Sequence, residues 1–172
     1  MSRVQSFDAV AAPDAEVLIL GSMPGAASLA AGQYYAHPHN AFWPIMAELL
    51  QFDVSSPYER RLDALKSARI ALWDVLRSCH RKGSLDARIR PQTQVANDFA
   101  TFLRRHRHIR GILFNGAKAE ECFRRHVLRH GIGAELRYER LPSTSPANAS
   151  WSRARKLAAW RHALAAGRTP AP

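Results

Sequence analysis

The fold of this chain follows from residues 20–43, LGSMPGAASLAAGQYYAHPHNAFW. A short apolar run, VLIL at residues 17–20, ends at Gly21. Small, turn-forming or polar residues follow until apolar residues recur at regular spacing from Ala41. This pattern is typical of a buried strand that leads through a long loop into a helix. Ligands of open α/β sheets bind beyond the carboxyl ends of the strands, so a site is expected at this loop.

The loop combines flat aromatic rings with a few hydrogen-bonding groups, a composition that suits a heteroaromatic ligand. The rings are Tyr34, Tyr35, Phe42 and Trp43, and the polar groups are His37, His39 and Asn40. Trp43 and in part Phe42 are explained by core packing. Tyr35 has no helical spacing to account for burial, which makes it the better candidate for stacking on a base.

Length and composition indicate one cytosolic domain. A chain of 172 residues can bury a sizeable core, and no apolar run approaches the roughly 20 residues of a membrane span. The N-terminus lacks the apolar segment of a secretory signal. Two cysteines are too few for a disulfide scaffold and favour a reducing compartment. We therefore expect a cytoplasmic protein that is a monomer and has no membrane contact.

The charge balance is strongly basic, with 25 Lys and Arg against 14 Asp and Glu and a net charge of +11. Such an excess favours binding to polyanions through phosphate contacts. An arginine-rich composition would raise the pI equally well without any such partner. Basicity alone leaves the two interpretations equal.

Periodicity predicts four strands alternating with helices. The strands are expected at residues 17–20, 69–73, 111–114 and 135–141, and the helices at 41–52, 58–67, 95–105, 117–130 and 151–166. Residues 1–15 are expected to be a flexible lead-in, 78–94 an irregular segment and 167–172 a flexible tail. The pattern indicates the α/β class, with a four-stranded parallel sheet between two helical layers.

Every predicted strand ends in polar or turn-forming residues, which predicts one composite site at one edge of the sheet. The four ends are GSMPG at 21–25, Asp74, Asn115 and the loop PSTSPANAS at 142–150. That last loop precedes a helix with Arg153, Arg155 and Lys156, and its hydroxyls and amides suit phosphate contacts. An ordinary capping loop explains it about equally well.

Other familiar chemistries lack their motifs. The glycine-rich turn has neither G-x-G-x-x-G nor a GK[ST] ending, which argues against a nucleotide cofactor. The serine hydrolase pattern G-x-S-x-G is also missing. Cys122, His126 and His130 recur every four residues, as zinc ligands on a helix could. Their apolar neighbours favour core-edge positions instead, and we expect no metal and no cofactor.

Several segments together resemble the uracil-DNA glycosylase superfamily, and most of all the hypoxanthine-DNA glycosylase family. The segments are GSMPGAASL (21–29), YYAHPHNAFWPIM (34–46), LWDVL (72–76), GSLD (83–86), FNGAKA (114–119) and LPSTSPANA (141–149). The resemblance spans about residues 17–162 and implies the same three-layer fold. It also implies DNA that contains a deaminated base as the partner.

The resemblance assigns roles to individual residues. Asn40 corresponds to the catalytic asparagine of the YYA-x-P-x-N-x-FW motif, while the first motif offers Ser22 and Met23 where related enzymes have Asp or Asn. His39 stands where relatives often have Arg. The implied base pocket comprises Gly21, Ser22, Met23, Pro24, Tyr35, Phe42, Asp74 and Asn115. The implied minor-groove and phosphate loop comprises Ser143, Thr144, Ser145, Pro146 and Asn148, with Arg153 beyond it.

The resulting hypothesis is a monofunctional glycosylase that hydrolyses the N-glycosidic bond of a flipped-out base, hypoxanthine first, in base excision repair. Asn40 would orient the attacking water. No lysine is placed to form a Schiff base, so lyase activity is not expected. Two alternatives stay open: uracil or xanthine as the true substrate, and a nucleic-acid-binding module without catalysis.

Overall fold

A four-stranded parallel sheet forms the centre of the computed structural model, which describes residues 2–168. The strands are β1 (Ser2–Gln5), β2 (Val17–Gly21), β3 (Ile70–Asp74), β4 (Leu76–Arg81), β5 (Val95–Ala96), β6 (Gly111–Asn115) and β7 (Arg137–Leu141). The helices are α1 (Ala26–Ala31), α2 (Phe42–Leu50), α3 (Tyr58–Ser67), α4 (Phe99–Arg105), α5 (Ala117–His126) and α6 (Arg153–Ala166). The parallel sheet has the order β3-β2-β6-β7. The predicted fold class is confirmed.

Helices cover both faces of this sheet, because its inner strands are apolar on both sides. Along β2, Val17 and Ile19 pack with α2, α3 and α6, whereas Leu18 and Leu20 pack with α4 and α5 on the opposite face. Alternate side chains of a strand point to opposite faces. A continuous apolar run such as VLIL therefore has to be buried on both sides.

A second, three-stranded sheet with the order β1-β4-β5 was not predicted. The expected flexible lead-in contains β1, whose residues Ser2–Gln5 pair antiparallel with Ser78–Arg81 of β4. The expected irregular segment 78–94 begins with β4 and continues through two short 3-10 turns. Both strands are rich in polar residues, so their pairing has little apolar signal in the sequence.

Three predicted boundaries also need correction. The long loop after β2 contains the short helix α1. The helix expected from Val95 begins at Phe99, where the Asp98 carboxylate accepts a hydrogen bond from the Thr101 amide. The helix expected to reach His130 ends at His126 and continues as a 3-10 turn.

The C-terminal end of the described chain is held in place. The Arg168 guanidinium donates hydrogen bonds to the Glu16 carboxylate at 3.1 Å and to the Ala68 carbonyl at 2.6 Å. Of the tail predicted to be flexible, Arg168 makes these contacts, residues 169–172 lie outside the described residues, and its flexibility stays a prediction. No helix within residues 2–168 has the length and apolar character needed to cross a bilayer.

Candidate active site

One cavity of about 560 Å³ opens at the carboxyl edge of the parallel sheet. Its size falls within the roughly 300–1,000 Å³ of small-molecule sites. All the residues predicted for the site line it, except Phe42 and Arg153: Gly21, Ser22, Met23, Pro24, Tyr35, Asn40, Asp74, Asn115, Ser143, Thr144, Ser145, Pro146 and Asn148. The parallel register explains the convergence, since it places Gly21 beside Asp74 and Asn115 beside Leu141.

Asn40 lies just before α2, and one hydrogen-bonding position of its side-chain amide is already occupied. Its Oδ1 accepts a hydrogen bond from the Phe42 amide at 2.9 Å, and the next residue, Ala41, donates its amide proton to the Thr144 carbonyl at 2.9 Å. An amide oxygen has two lone pairs and the amide nitrogen two protons. One lone pair and the Nδ2 group are therefore left to bind a water or a ligand in the cavity.

Tyr35 separates Phe42 from the cavity. The two rings stack with centroids 4.2 Å apart, and Phe42 is fully buried. Phe42, predicted for the base pocket, is thus placed in the core behind Tyr35 and does not line the cavity. Tyr35 has φ of 54°, a left-handed conformation that costs a non-glycine residue roughly 1–2 kcal/mol. Strain of this kind is often found at functional sites.

Asp74 is a buried carboxyl without a partner at the base of the cavity. The residue is 3% exposed, and its Oδ2 is buried with no hydrogen-bond partner among the described residues. The Tyr35 hydroxyl is also buried; burial raises its pKa, and a hydrogen bond with the Asn115 side chain opposes the increase. Burial raises the pKa of Asp74 to about 7, the charge of Asp86 adds to the increase, and Arg81 opposes it. Leaving a buried polar group unpaired costs about 1–3 kcal/mol, so both groups are candidates for pairing with a ligand.

Gly21 allows Asp74 and Tyr35 to approach the same point. A Cβ at Gly21 would lie 2.5 Å from Asp74 Oδ1 and 2.9 Å from the Tyr35 hydroxyl, which is closer than van der Waals contact permits. The absence of a side chain at Gly21 therefore brings an acceptor and a hydroxyl to one side of the cavity.

Pattern reasoning missed Asp86, which lines the cavity, and Arg81, which holds the backbone beside it. The Ser22 hydroxyl donates to Asp86 Oδ1 at 2.6 Å, and burial raises the pKa of Asp86 above its ordinary value. Arg81 is 2% exposed and donates to the carbonyls of Pro24 and Gly83. The sequence pointed to Asp86 only through the GSLD segment. Arg81 ends β4 and Asp86 follows it, so their positions depend on a strand that was not predicted.

Asn115 anchors the loop at 142–150. Its Oδ1 accepts from the Thr144 amide and its Nδ2 donates to the Thr144 hydroxyl, both at 2.9 Å. The loop is tightened further by hydrogen bonds from the Ser145 amide to the Ser143 hydroxyl and from Asn148 Nδ2 to the Ser143 carbonyl. The Asn115 amide therefore positions this loop. Arg153 is exposed on α6 and does not line the cavity.

The residues considered as metal ligands have other contacts. Cys122 Sγ and His126 Nε2 both lie within hydrogen-bonding distance of Gln94 Oε1, at 3.8 and 2.7 Å. His130 lies beyond the end of α5 and does not continue their helical face. Within residues 2–168, no group of three or more His, Cys, Asp or Glu side chains is placed to hold a metal ion.

The family described as Uracil DNA glycosylase superfamily matches residues 7–165. This chain belongs to the uracil DNA glycosylase superfamily. The superfamily match includes every residue of the cavity, and it supports a DNA glycosylase activity for this chain.

Similar proteins come from two species of Methanosarcina. A hypoxanthine DNA glycosylase from Methanosarcina barkeri is 36% identical over 94% of this chain and 98% of its own length. A hypoxanthine DNA glycosylase from Methanosarcina acetivorans is 37% identical over 92% of this chain and 98% of its own length. A solution NMR structure from M. acetivorans, of a protein proposed to be a uracil DNA glycosylase, superposes with a TM-score of 0.77 at 35% identity and covers 95% of this chain and 99% of its own.

Proposed function

We propose that this protein is a monofunctional DNA glycosylase that removes a deaminated base, above all hypoxanthine, from DNA in base excision repair. The observation that carries the proposal is the cavity that Asn40 lines together with the buried Asp74 carboxyl and Tyr35 hydroxyl. Two relatives that match nearly the whole chain are named hypoxanthine DNA glycosylases, which supports the choice of base.

The cavity requires the base to leave the duplex. The glycosidic carbon is inaccessible within a base stack, so enzymes that act there rotate the nucleotide out of the helix. A single base fits into a cavity of about 560 Å³, whereas a base pair within a duplex does not enter it. The ring of Tyr35, supported from behind by Phe42, would present its hydroxyl to the edge of the extruded base.

Asn40 would hold the water that attacks the sugar. The free lone pair of its Oδ1 would accept a hydrogen bond from the water and aim the water oxygen at C1′ as positive charge develops on the sugar ring. The bond between C1′ and the base nitrogen breaks, its electron pair leaves with the base, and the water oxygen bonds to C1′. The proton lost by the water balances the charge of the departing base. An amide is too weak a base to take the proton itself, so Asn40 contributes position and electrostatics.

The Asp74 carboxyl and the Tyr35 hydroxyl, which lie beside Gly21, are complementary to the hydrogen-bonding groups that deamination creates on the base. Hypoxanthine presents an N1–H donor beside the O6 acceptor, whereas adenine presents an N1 acceptor beside an N6 donor. The ionised Asp74 carboxylate would accept from N1–H, and the Tyr35 hydroxyl would donate to O6. Adenine has an acceptor at N1, so it would leave the ionised Asp74 carboxylate unpaired, and an unpaired buried group rejects a close analogue effectively. Uracil and xanthine carry a similar N–H and C=O pair, so a panel of substrates has to rank the three.

Base release is the direct test. Purified protein should release free hypoxanthine from an inosine-containing duplex in the presence of EDTA, faster than uracil or xanthine from matched duplexes and with no release of adenine. Asn40→Ala should slow release by at least about a hundredfold.

Asn40→Ser is the matched control for the role of this amide. Serine keeps an oxygen that can accept from the Phe42 amide and start α2, but it lacks the amide group. Both variants should fold and both should be slow. A wild-type rate for Asn40→Ser would mean that Asn40 serves only as a helix cap. Salt-sensitive DNA binding without release of any base by the wild type would favour a non-catalytic binding module instead.

A further inference from the structure

A second cavity, of about 630 Å³, adjoins the loop at 142–150. Ser143 and Asn148 line both this cavity and the one that contains Asn40, so the loop forms part of the wall of each. The rest of the second cavity comes from the end of β7, the start of α5 and the residues around α6. Nothing in the function proposed above uses it.

Trp151 is the aromatic residue of the second cavity, and neither hydrophobic core uses it. Within residues 2–168, every other Phe, Tyr and Trp side chain belongs to or packs against one of the two apolar clusters on the faces of the parallel sheet. Trp151 is half-buried and precedes Ser152, the N-cap of α6. An apolar residue at this position usually packs against the fourth helical residue, which here is Lys156. Core packing and helix capping therefore do not account for this side chain.

Arg155 holds the ring of Trp151 in place. The central carbon of its guanidinium lies over the indole, 4.3 Å from the ring centroid, which is the geometry of a cation–π contact. The contact orients the indole and keeps a positive charge beside it. An oriented aromatic ring next to an arginine is the arrangement on which unpaired bases stack in proteins that bind single strands.

The charges around Trp151 favour a nucleic acid strand as the ligand. Arg153 and Arg155 are exposed in the first turn of α6, directly after Trp151, and Arg140 lines the second cavity. Such cations suit the phosphates of a strand. Glu139 also lines the cavity, and its carboxylate favours a neutral base there over a phosphate.

Only an unpaired strand can supply that base. In a duplex, the bases beside an extruded nucleotide stay paired and stacked within the helix, so their flat faces are covered. In a single strand the neighbouring base is free to turn towards an aromatic side chain. Because the two cavities share the loop at 142–150, a nucleotide in the first cavity brings its neighbour close to the second.

We propose that the second cavity is a subsite for unpaired DNA, in which the base next to the extruded nucleotide stacks on the face of Trp151 away from Arg155. The inference rests on the proposed glycosylase function, because it places the extruded nucleotide in the first cavity. It adds single-stranded DNA to the substrates of this protein and assigns Trp151 to binding, with no part in the bond-breaking step.

The test measures the affinity for one inosine-containing oligonucleotide as a single strand and as a duplex, in an Asn40→Ala background so that the substrate is not consumed. Trp151→Ala should weaken single-strand binding by about ten- to a hundredfold and duplex binding by less than about twofold. Trp151→Phe, which keeps a flat ring, should retain most of the single-strand affinity, whereas Trp151→Leu, which is apolar without a ring, should behave like alanine. Urea midpoints of all three variants should match the wild type, since Trp151 lies outside both cores.

A change in the DNA identifies the base that Trp151 contacts. Replacing one of the two nucleotides beside the inosine with an abasic spacer should weaken single-strand binding about as much as Trp151→Ala does, and should weaken it no further in that variant, because both changes remove the same contact. Tryptophan fluorescence should fall when the single strand binds, and Trp151→Phe should abolish the decrease.

Equal losses on single strand and duplex, full single-strand affinity in Trp151→Ala, or additive effects of both spacers and Trp151→Ala would overturn the proposal. If single strands bind and quench Trp151 but the wild type releases no base, the glycosylase proposal fails while the subsite stands. If the wild type releases hypoxanthine and Trp151→Ala binds single strands as well as it does, the subsite fails while the glycosylase proposal stands.

Discussion

Replacing Asp74 with asparagine is expected to stabilise the folded protein at neutral and alkaline pH. The carboxyl is 3% exposed, and burial raises its pKa from the ordinary 3.8 to about 7. Between these two values the folded protein keeps a proton that the unfolded chain has lost. The free energy of unfolding therefore falls as the pH rises from about 4 to about 7, and the whole loss is present above pH 7.

The size of the effect follows from the two pKa values. At 1.36 kcal/mol for each pKa unit, the difference between 3.8 and about 7 corresponds to about 4 kcal/mol above pH 7. Asparagine has nearly the same shape and cannot ionise. We expect Asp74→Asn to raise the free energy of unfolding by about 2–4 kcal/mol at pH 8 and by no more than about 1 kcal/mol at pH 4.5.

Urea unfolding followed by tryptophan fluorescence at pH 4.5, 6 and 8 measures this difference. Asp53→Asn is the control, because hydrogen bonds from Ser55 lower the pKa of this exposed carboxyl. That variant should be slightly less stable than the wild type at pH 8, which is the opposite sign. If the difference between Asp74→Asn and the wild type were the same at pH 4.5 and pH 8, the argument from a buried, unpaired carboxyl would be refuted.

Two further predictions concern the geometry of the cavity. Gly21→Ala should slow base release more than about tenfold and cost about 1–3 kcal/mol, because its Cβ would lie 2.5 Å from a carboxyl oxygen; Gly25→Ala, whose Cβ makes ordinary contacts at 3.6 Å, should differ little from wild type in rate and urea midpoint. Asn115→Ala should cost about 2 kcal/mol, since it leaves the Thr144 amide without its acceptor, and should expose the loop at 142–150 to limited proteolysis. Wild-type protease resistance in Asn115→Ala would show that other contacts hold that loop.

The parallel sheet and the place of the site could be predicted from local sequence. A run such as VLIL has to be buried on both faces, and polar residues at the ends of parallel strands meet at one edge. These consequences depend only on residue type and chain direction. That is why Asn40, Asp74 and the loop at 142–150 were predicted to meet, and they line one cavity.

The second sheet could not be predicted in this way. β1 pairs with β4 across more than seventy residues of chain, from Ser2 opposite Arg81 to Gln5 opposite Ser78. A polar strand forms when the edge of another strand supplies hydrogen bonds to its backbone N–H and C=O groups. The local sequence does not indicate which strand that will be. Leu85 and Asp86 follow β4 in the chain and line the cavity. Because β4 was not predicted, neither residue was predicted for the site.

The sequence by itself determined the parallel sheet, its helical layers and the edge where the functional residues gather, because apolar periodicity and chain direction are local properties. Only the tertiary structure decided what each of those residues does. Phe42 lies behind Tyr35 because the two rings stack. Asp74 has a raised pKa because the folded chain removes water from it and supplies no partner for Oδ2 within the described residues. Burial and pairing depend on groups brought together from distant parts of the chain, and a list of residues in order does not contain them.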